Sequence, residues 1–512
     1  MVKSIQKLWD ERPLFLIILS AVFFRALAVL FSKGYGMHDD HFLVIESAQS
    51  WVDDFDYNDW LSQPSGHSWF YCGLHYVLFK GLQIIGITDP DFKMYIVRFL
   101  HAALSMITVV LGYKITEQVS DKNSARTVGI LLALYWFFPN ASVRNLVEVA
   151  CIPFLMIATW MLVKTLPPAL KGAVKLPATL PLGLGQFFVA GIIAGIAFSI
   201  RFQSILFIGG LGLALLLQKK WKEGIIFGLG AALCMAAAQG IIDNMIWGHP
   251  FMEFKEYVRY NLEASKDYFV AQWYMYFALL LGLLLPPVSF FLLFGFSRSW
   301  KKHLLLFLPS LVFLAFHCYF PNKQERFILP ILPFIIMLGI IGWNDFVKTS
   351  AFWDRRKKLL SACWIFFWSL NLLPLFVVSV AYSKKSRVEA MIYLSQKKDF
   401  NRLVVEESFR DGFTMPPFFY LGKWYRDGYV QGVTQKFTID SLCASIQKYP
   451  ATKPNYVIFF DEEDLDNRIK KFKTCFPNIQ YETTCEAGFL DKFIRWMNPI
   501  NRNYTAYIYK IN

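Results

Sequence analysis

Charge is what this chain has least of. Only 18% of its 512 residues are Asp, Glu, Lys or Arg, against 55% hydrophobic. That balance excludes an ordinary soluble globule and a disordered chain. Cysteine is scarce as well: there are eight, with no CxxC pair and no zinc-ligand spacing, which leaves no case for a zinc module or a thioredoxin-like redox site. Cys443, Cys475 and Cys485 share the polar C-terminal tail and could form one disulfide, although nothing in the sequence requires it. A glycine-rich nucleotide loop and a Ser-His-Asp order are both missing, so a nucleotide-sugar donor is not expected. There is no internal repeat and no low-complexity segment.

What the chain does have is a series of long apolar runs, with 50 Phe and 16 Trp among them. "PLFLIILSAVFFRALAVLF" (13–31) is long enough to cross a bilayer. Lys3, Lys7 and Arg12 precede it and no small-residue cleavage site follows, so it reads as a retained first helix rather than a signal peptide. Further runs lie near 95–119, 127–139, 142–164, 187–200, 202–217, 224–247, 272–296, 304–320, 327–343 and 360–380. Together they predict a polytopic α-helical membrane protein with about eleven transmembrane helices.

Charge sets the expected sidedness. If "WFYCGLHYVLFKGLQIIG" (69–86) does not span, the inner loops hold Lys114, Lys122 and Arg126; Lys164, Lys171 and Lys175; Lys219, Lys220 and Lys222; Arg298, Lys301 and Lys302; and Lys348 with "RRKK" (355–358). Every inner loop is then basic, as membrane orientation demands. Making 69–86 a span would invert all of them, so it is expected to be interfacial or re-entrant. The net charge of +14 is accounted for by these loops, and nucleic acid is not an expected partner. Outside lie a first loop of about 33–94, a second of about 248–271, and the tail from about 381. The tail mixes strand-like runs ("NRLVVEE", "NYVIFF", "TAYIYKI") with the helix-like "DEEDLDNRIKKF". It predicts a small extracytoplasmic α/β domain, 381–512, following a transmembrane catalytic domain, 1–380.

Once the inner cations are assigned, the outer ones stand out. Arg98 and Arg144 begin spans, Arg201 sits at an outer turn, and Lys323 and Arg326 lie in "HCYFPNKQERFILPILP" (317–333). Any one of them could snorkel at the interface, and Arg144 could simply pair with Glu148 one helical turn on. As a group on one face they are expected to bind an anion held at the membrane surface, a lipid phosphate. The same face carries "KGYGMHDDHFLVIESAQSW" (33–51), with Asp39 and Asp40 between His38 and His41. A carboxylate there can act as general base toward a hydroxyl. Neighbouring side chains diverge, so one aspartate would be catalytic and the other would orient it. Three further readings stay open: a metal site built from the four residues, a helix N-cap, and a solvated loop with no role.

These segments resemble glycosyltransferase family 22, the mannosyltransferases of lipid-linked oligosaccharide and GPI-anchor assembly within the GT-C superfamily. His38-Asp39-Asp40-His41-Phe42 with Glu46 is similar to the family's Pro-Asp-Glu-x-aromatic pattern, with His38 for the proline and Asp40 for the glutamate. "HSWFY" (67–71) resembles its Arg-Ser-Trp segment, with His67 in the arginine place before Trp69. "VRFLHAALS" (97–105) and "IRFQSILF" (200–207) resemble its arginine-bearing helix ends. "HCYFPNKQERFILPILP" is similar to its His-x-x-x-x-His-Lys-Glu-x-Arg-Phe signature, keeping His317, Lys323, Arg326 and Phe327 while Asn322 and Gln324 replace histidine and glutamate. The likeness runs in order over about residues 14 to 380 and does not reach the tail.

The resemblance implies a GT-C fold and an inverting transfer of a sugar, usually mannose. The donor would be an isoprenyl-phosphate sugar and the acceptor a hydroxyl of a lipid-linked or glycan molecule, with no nucleotide, metal or other cofactor required. Asp39 would be the base, with Asp40 beside it. Lys323, Arg326, Arg201, Arg98 and Arg144 would hold the donor phosphate, and His38, Glu46, His67, Trp69 and His317 would contact substrate. The departures at His67, Asn322 and Gln324 leave open a different sugar donor. A transporter or flippase of lipid-linked sugars is the non-enzyme alternative, although such proteins often show repeated halves. The short loops favour a bacterial inner membrane over the endoplasmic reticulum, with the active site on the extracytoplasmic or lumenal face.

Overall fold

The structure is a computed structural model and describes residues 2–166, 183–267, 269–424, 430–499 and 501–512. Lys171 and Lys175 of the expected second inner loop lie outside the described residues. The chain forms two compact units: one of residues 1–29, 60–74 and 96–379, the other of 30–59, 75–95 and 380–512. The expected first outer loop therefore supplies segments to both.

The first unit is helical. Among the described residues five helices are long and apolar enough to cross a membrane: Pro13–Phe31, Pro90–Val119, Trp221–Trp247, Glu325–Thr349 and Lys357–Ser379. Shorter apolar helices accompany them at Val147–Val163, Leu184–Ile200, Ser204–Leu217, Val288–Arg298 and Leu304–Tyr319. The run expected at 272–296 is broken at Pro286-Pro287 into Met275–Leu283 and Val288–Arg298, because proline removes a helical donor and clashes with the preceding turn. The helix expected from residue 95 begins at Pro90, with Asp91 in its first turn, where a carboxylate complements the free N–H groups.

Burial separates central from peripheral helices. The apolar stretch of Glu325–Thr349 is 89% buried and that of Lys357–Ser379 only 17%, so the first forms the core and the second shows an outer face. A helix apolar on every side belongs inside, and Leu332–Trp343 is buried without interruption. The buried Arg25 of Pro13–Phe31 is satisfied internally: Nε donates to Ser105 Oγ (2.7 Å), and the terminal nitrogens donate to the carbonyls of Ala133 (3.3 Å) and Leu132 (3.4 Å). It thereby serves the last turn of Lys122–Leu134, whose carbonyls lack helical partners.

The second unit is built on a five-stranded sheet: β1 (Leu403–Glu406), β2 (Val430–Val433), β3 (Tyr456–Phe460), β4 (Ile479–Cys485) and β5 (Ala506–Ile511). The order is β2-β1-β3-β5-β4. The β1 strand runs parallel to β2 and β3, with helix Ile439–Lys448 between β2 and β3, while β5 is antiparallel to β3 and β4. Its core gathers Val404, Leu442, Val457, Phe459 and Phe472. A disulfide joins Cys443 to Cys475 with Cα atoms 5.9 Å apart, tying Ile439–Lys448 to Leu465–Cys475, and Cys485 is a buried free thiol. Arg468 is buried against Glu406 (2.5 Å) and donates to the carbonyls of Phe460 (2.8 Å) and Glu463 (2.9 Å), so the charge is both paired and hydrogen-bonded, as burial requires.

Candidate active site

In the second unit the aspartate segment is a helix with a wide turn. Asp40–Glu46 is π-helical and continues into Ser47–Val52, a deformation that recurs at functional sites. Asp39 precedes it without capping it by its side chain, which removes the N-cap reading for that residue. The wide turn sorts the four polar residues. His38 is exposed and Asp39 half-buried, while Asp40 is 4% and His41 0% exposed. His41 stacks on Tyr35 (4.4 Å) and lies parallel to Tyr420 (5.6 Å), so it is turned away from any ion that His38 or Asp39 could hold. Among the described residues no three His, Cys, Asp or Glu side chains gather as a metal-holding group.

Glu46 is also enclosed. Its Oε1 accepts the Phe419 N–H at 3.1 Å and lies 3.5 Å from His41 Nε2, and Tyr57 bonds to the same carboxyl. Burial raises its pKa well above the ordinary range and lowers that of His41 well below, so this is a neutral pair. The carboxyl fastens the π-helical stretch to the tail segment Phe418–Leu421.

In the first unit the outer cations gather around a residue that the sequence offered only as a partner for Arg144. Glu148, fully buried, lies 3.0 Å from Arg201 Nη2 and 3.6 Å from Arg326 Nε. Both guanidiniums lie near the Phe327 ring, at 5.4 and 6.0 Å. Arg201 also donates to Gln203 Oε1 (2.9 Å), and Arg326 to Gln324 Oε1 (2.9 Å). Gln324, a departure from the family pattern, thus orients the neighbouring arginine. Two cations thus lie against one buried carboxylate, in a setting where few charges are tolerated.

Lys323 takes another role. Its ammonium donates to the carbonyls of His317 (2.8 Å), Cys318 (2.9 Å) and Phe320, closing the C-terminal end of Leu304–Tyr319. An ammonium has three donors, so in this structure these bonds engage all of them and Lys323 caps that helix. His317 Nδ1 lies 2.8 Å from the Phe313 carbonyl, and its ring sits 6.0 Å from Phe327. Arg98 is buried in the third turn of Pro90–Val119 with Nε donating to Val29 O (3.0 Å), and Arg144 is 4% exposed. Arg201, Arg326 and Glu148 thus form one group beside Phe327, a ring that His317 also approaches.

The 60–69 segment of the same unit is held by a second buried acid absent from the sequence reading. Glu253 accepts the Trp60 indole N–H and the backbone N–H groups of Ser65 (3.2 Å) and Gly66 (2.6 Å). Gly66 has φ +73°, and a Cβ there would lie 3.3 Å from Tyr257 Cα, so only glycine fits without strain. Ser68 Oγ bonds to Gln239 Oε1 (3.1 Å), and Trp69 packs against Trp60 (5.9 Å) and Trp247 (6.5 Å). His67 follows the latch, its N–H bonded to Ser65 Oγ (3.3 Å).

Burial pushes the Glu253 pKa up to about 7 against the opposing N–H donors. Because the folded value lies above the free one of 4.5, its stabilisation is complete below the free value and is lost as pH rises through about 7. Relative to Glu253→Gln, which does not titrate there, the wild type should gain up to about 3 kcal/mol between pH 8 and pH 5. Thermal unfolding of both proteins across that range checks this; parallel curves would contradict it.

Residues 14–421 match the model of the Alg9-like mannosyltransferase family. The chain belongs to that family. Its relatives in that family are named as mannosyltransferases. GPI mannosyltransferase 3 of Saccharomyces cerevisiae is 28% identical over 196 residues, covering 35% of this chain and 29% of that protein. Mannosyltransferase APTG1 of Arabidopsis thaliana is 23% identical over 341 residues, covering 65% and 59%. The matches thus span less than two thirds of these relatives. Among solved structures, ArnT from Cupriavidus metallidurans bound to undecaprenyl phosphate superposes with a TM-score of 0.60 over 97% of both chains at 11% identity. Archaeal oligosaccharyltransferase AglB from Archaeoglobus fulgidus does so with 0.51 over 90% of this chain and 70% of its own, at 12% identity. The family's fold is the GT-C fold that the motifs implied.

Proposed function

We propose that the protein is an integral-membrane inverting glycosyltransferase that moves a sugar, mannose in the first instance, from a polyprenyl- or dolichyl-phosphate donor to a hydroxyl of a lipid-linked or glycan acceptor. Asp39, half-buried while its neighbour Asp40 is enclosed, takes the acceptor's proton. The hydroxyl oxygen attacks the anomeric carbon as the bond from that carbon to the phosphate oxygen breaks. The phosphate departs with the electron pair, and Arg201 and Arg326 stabilise its growing charge, a use of fixed cations where charge develops. His38, His67 and Trp69 are assigned to substrate contact. No metal or other cofactor is needed for this chemistry.

The observation that carries the reading is the pair of arginines sharing one carboxylate, in a family of mannosyltransferases. The bound undecaprenyl phosphate of ArnT, a neighbour in fold, supports a lipid-phosphate ligand. We assign about eleven spans, a cytoplasmic N-terminus and a catalytic face outside the cytoplasm. The Cys443–Cys475 disulfide supports an oxidising compartment for the tail. The sequence relatives from yeast, plant and mouse favour the endoplasmic reticulum over the bacterial inner membrane. The test is direct: purified enzyme with a panel of lipid-phosphate sugars should transfer from a mannosyl lipid phosphate and not from GDP-mannose. Transfer from the nucleotide sugar alone would end the proposal.

A further inference from the structure

Helix Phe489–Met497 of the second unit turns an apolar face outward. Phe489 is 77%, Phe493 43%, Trp496 78% and Met497 60% exposed. Their spacing of four, seven and eight residues puts them on one side of a helix, and the Phe493 and Trp496 rings lie 5.8 Å apart. The opposite side is fixed to the protein. The Asp491 carboxylate accepts from the Lys385 N–H (3.3 Å) and from Asn503 Nδ2 (2.8 Å). At the helix start a Cβ on Gly488 would lie 2.6 Å from the Tyr382 carbonyl oxygen, so the absence of a side chain lets the two backbones meet.

The residues it meets say what covers that face. Tyr382 and Lys385 follow the apolar helix that ends at Ser379, and three residues reach at most about 11 Å. The same stretch is bonded to the end of the first apolar helix, whose last residues Leu30 and Phe31 belong to this unit. Ser32 Oγ donates to Ala381 O (3.1 Å), the Ser383 N–H to Lys33 O (3.1 Å), and Lys384 Nζ to Gly36 O (2.9 Å). The helix thus packs on the stretch that follows one membrane-length helix, and that stretch is bonded to the residues that follow the other. Aromatic side chains at that level partition into the headgroup region, and a helix with one such face lies in the interface plane.

We infer that Phe489–Met497 is an interfacial helix whose Phe489, Phe493, Trp496 and Met497 rest in the bilayer surface and fix the tail domain to the membrane. The inference requires only that the neighbouring helices span; it does not rest on the proposed donor or on catalysis. The test uses the full chain in vesicles of phosphatidylcholine and phosphatidylglycerol. Phe493 and Trp496 are replaced one at a time by the photo-crosslinker benzoylphenylalanine, with Tyr481 on β4, itself 58% exposed, as control. All three sites are at the surface, so the fold should tolerate the exchange. Lipid adducts several-fold more abundant at 493 and 496 than at 481 are expected. Equal lipid labelling at all three sites, or adducts to a second copy or another protein in place of lipid, would overturn it.

Discussion

Asp39→Asn should leave a folded protein that no longer transfers sugar. An amide cannot accept the acceptor's proton, and loss of a positioned general base typically costs about two to four orders of magnitude in rate. Asp39 is half-buried and does not cap the helix that follows, and asparagine has nearly its shape, so the fold should survive the exchange. Asp40, at 4% exposure, stands differently: Asp40→Asn should lower stability as well as rate, because a buried polar side chain holds its surroundings in place. Turnover and thermal unfolding measured together on both variants separate the roles. Near-normal turnover of Asp39→Asn would remove it from the mechanism, and a larger loss of turnover at Asp40 with unchanged stability would transfer the base to that residue.

Much of this was legible from residue patterns, for reasons that differ by element. The apolar runs announce spanning helices because bilayer thickness sets their length. Short β-branched and aromatic runs announce β1, β3 and β5; β1 and β3 are buried at every position, as inner strands are, and only β5 alternates. The sequence also put carboxylates in one segment and cations in others. It could not say which of four adjacent polar residues turns inward, since that depends on the π-helical turn at Asp40–Glu46, a packing outcome with no periodic signature. Nor could it say that Lys323 would spend its donors on carbonyls of its own helix, because the chain reversal at Phe320–Asn322 has to be seen first. Glu148 was the nearest miss. A lone carboxylate in "NLVEVACIPFLM" is costly in an apolar setting and is itself a signal, and Arg144 offered a sufficient local partner. Glu253 had no such signal, because its partners are backbone N–H groups roughly 190 residues away in sequence.

Glu148→Gln should strongly destabilise the first unit. The substitution preserves shape and removes one charge, leaving Arg201 and Arg326 without the carboxylate they share at 3.0 and 3.6 Å. Breaking a buried pair in this way typically costs about 3–5 kcal/mol, because the remaining charge stays desolvated. The same variant tests the phosphate site. If the two arginines receive a lipid phosphate, an anion can restore what the carboxylate supplied, and undecaprenyl phosphate should raise the unfolding temperature of Glu148→Gln more than that of the wild type. Undecaprenol, which has the same chain without the phosphate, should do neither. Should the arginines serve only to brace the helices, the variant will still be unstable, but the phosphate and the alcohol will act alike on it. Arg326→Lys adds a finer discrimination: a guanidinium can hold two phosphate oxygens at once and an ammonium cannot. That variant should therefore keep part of its stability while losing most of the protection that the lipid phosphate confers.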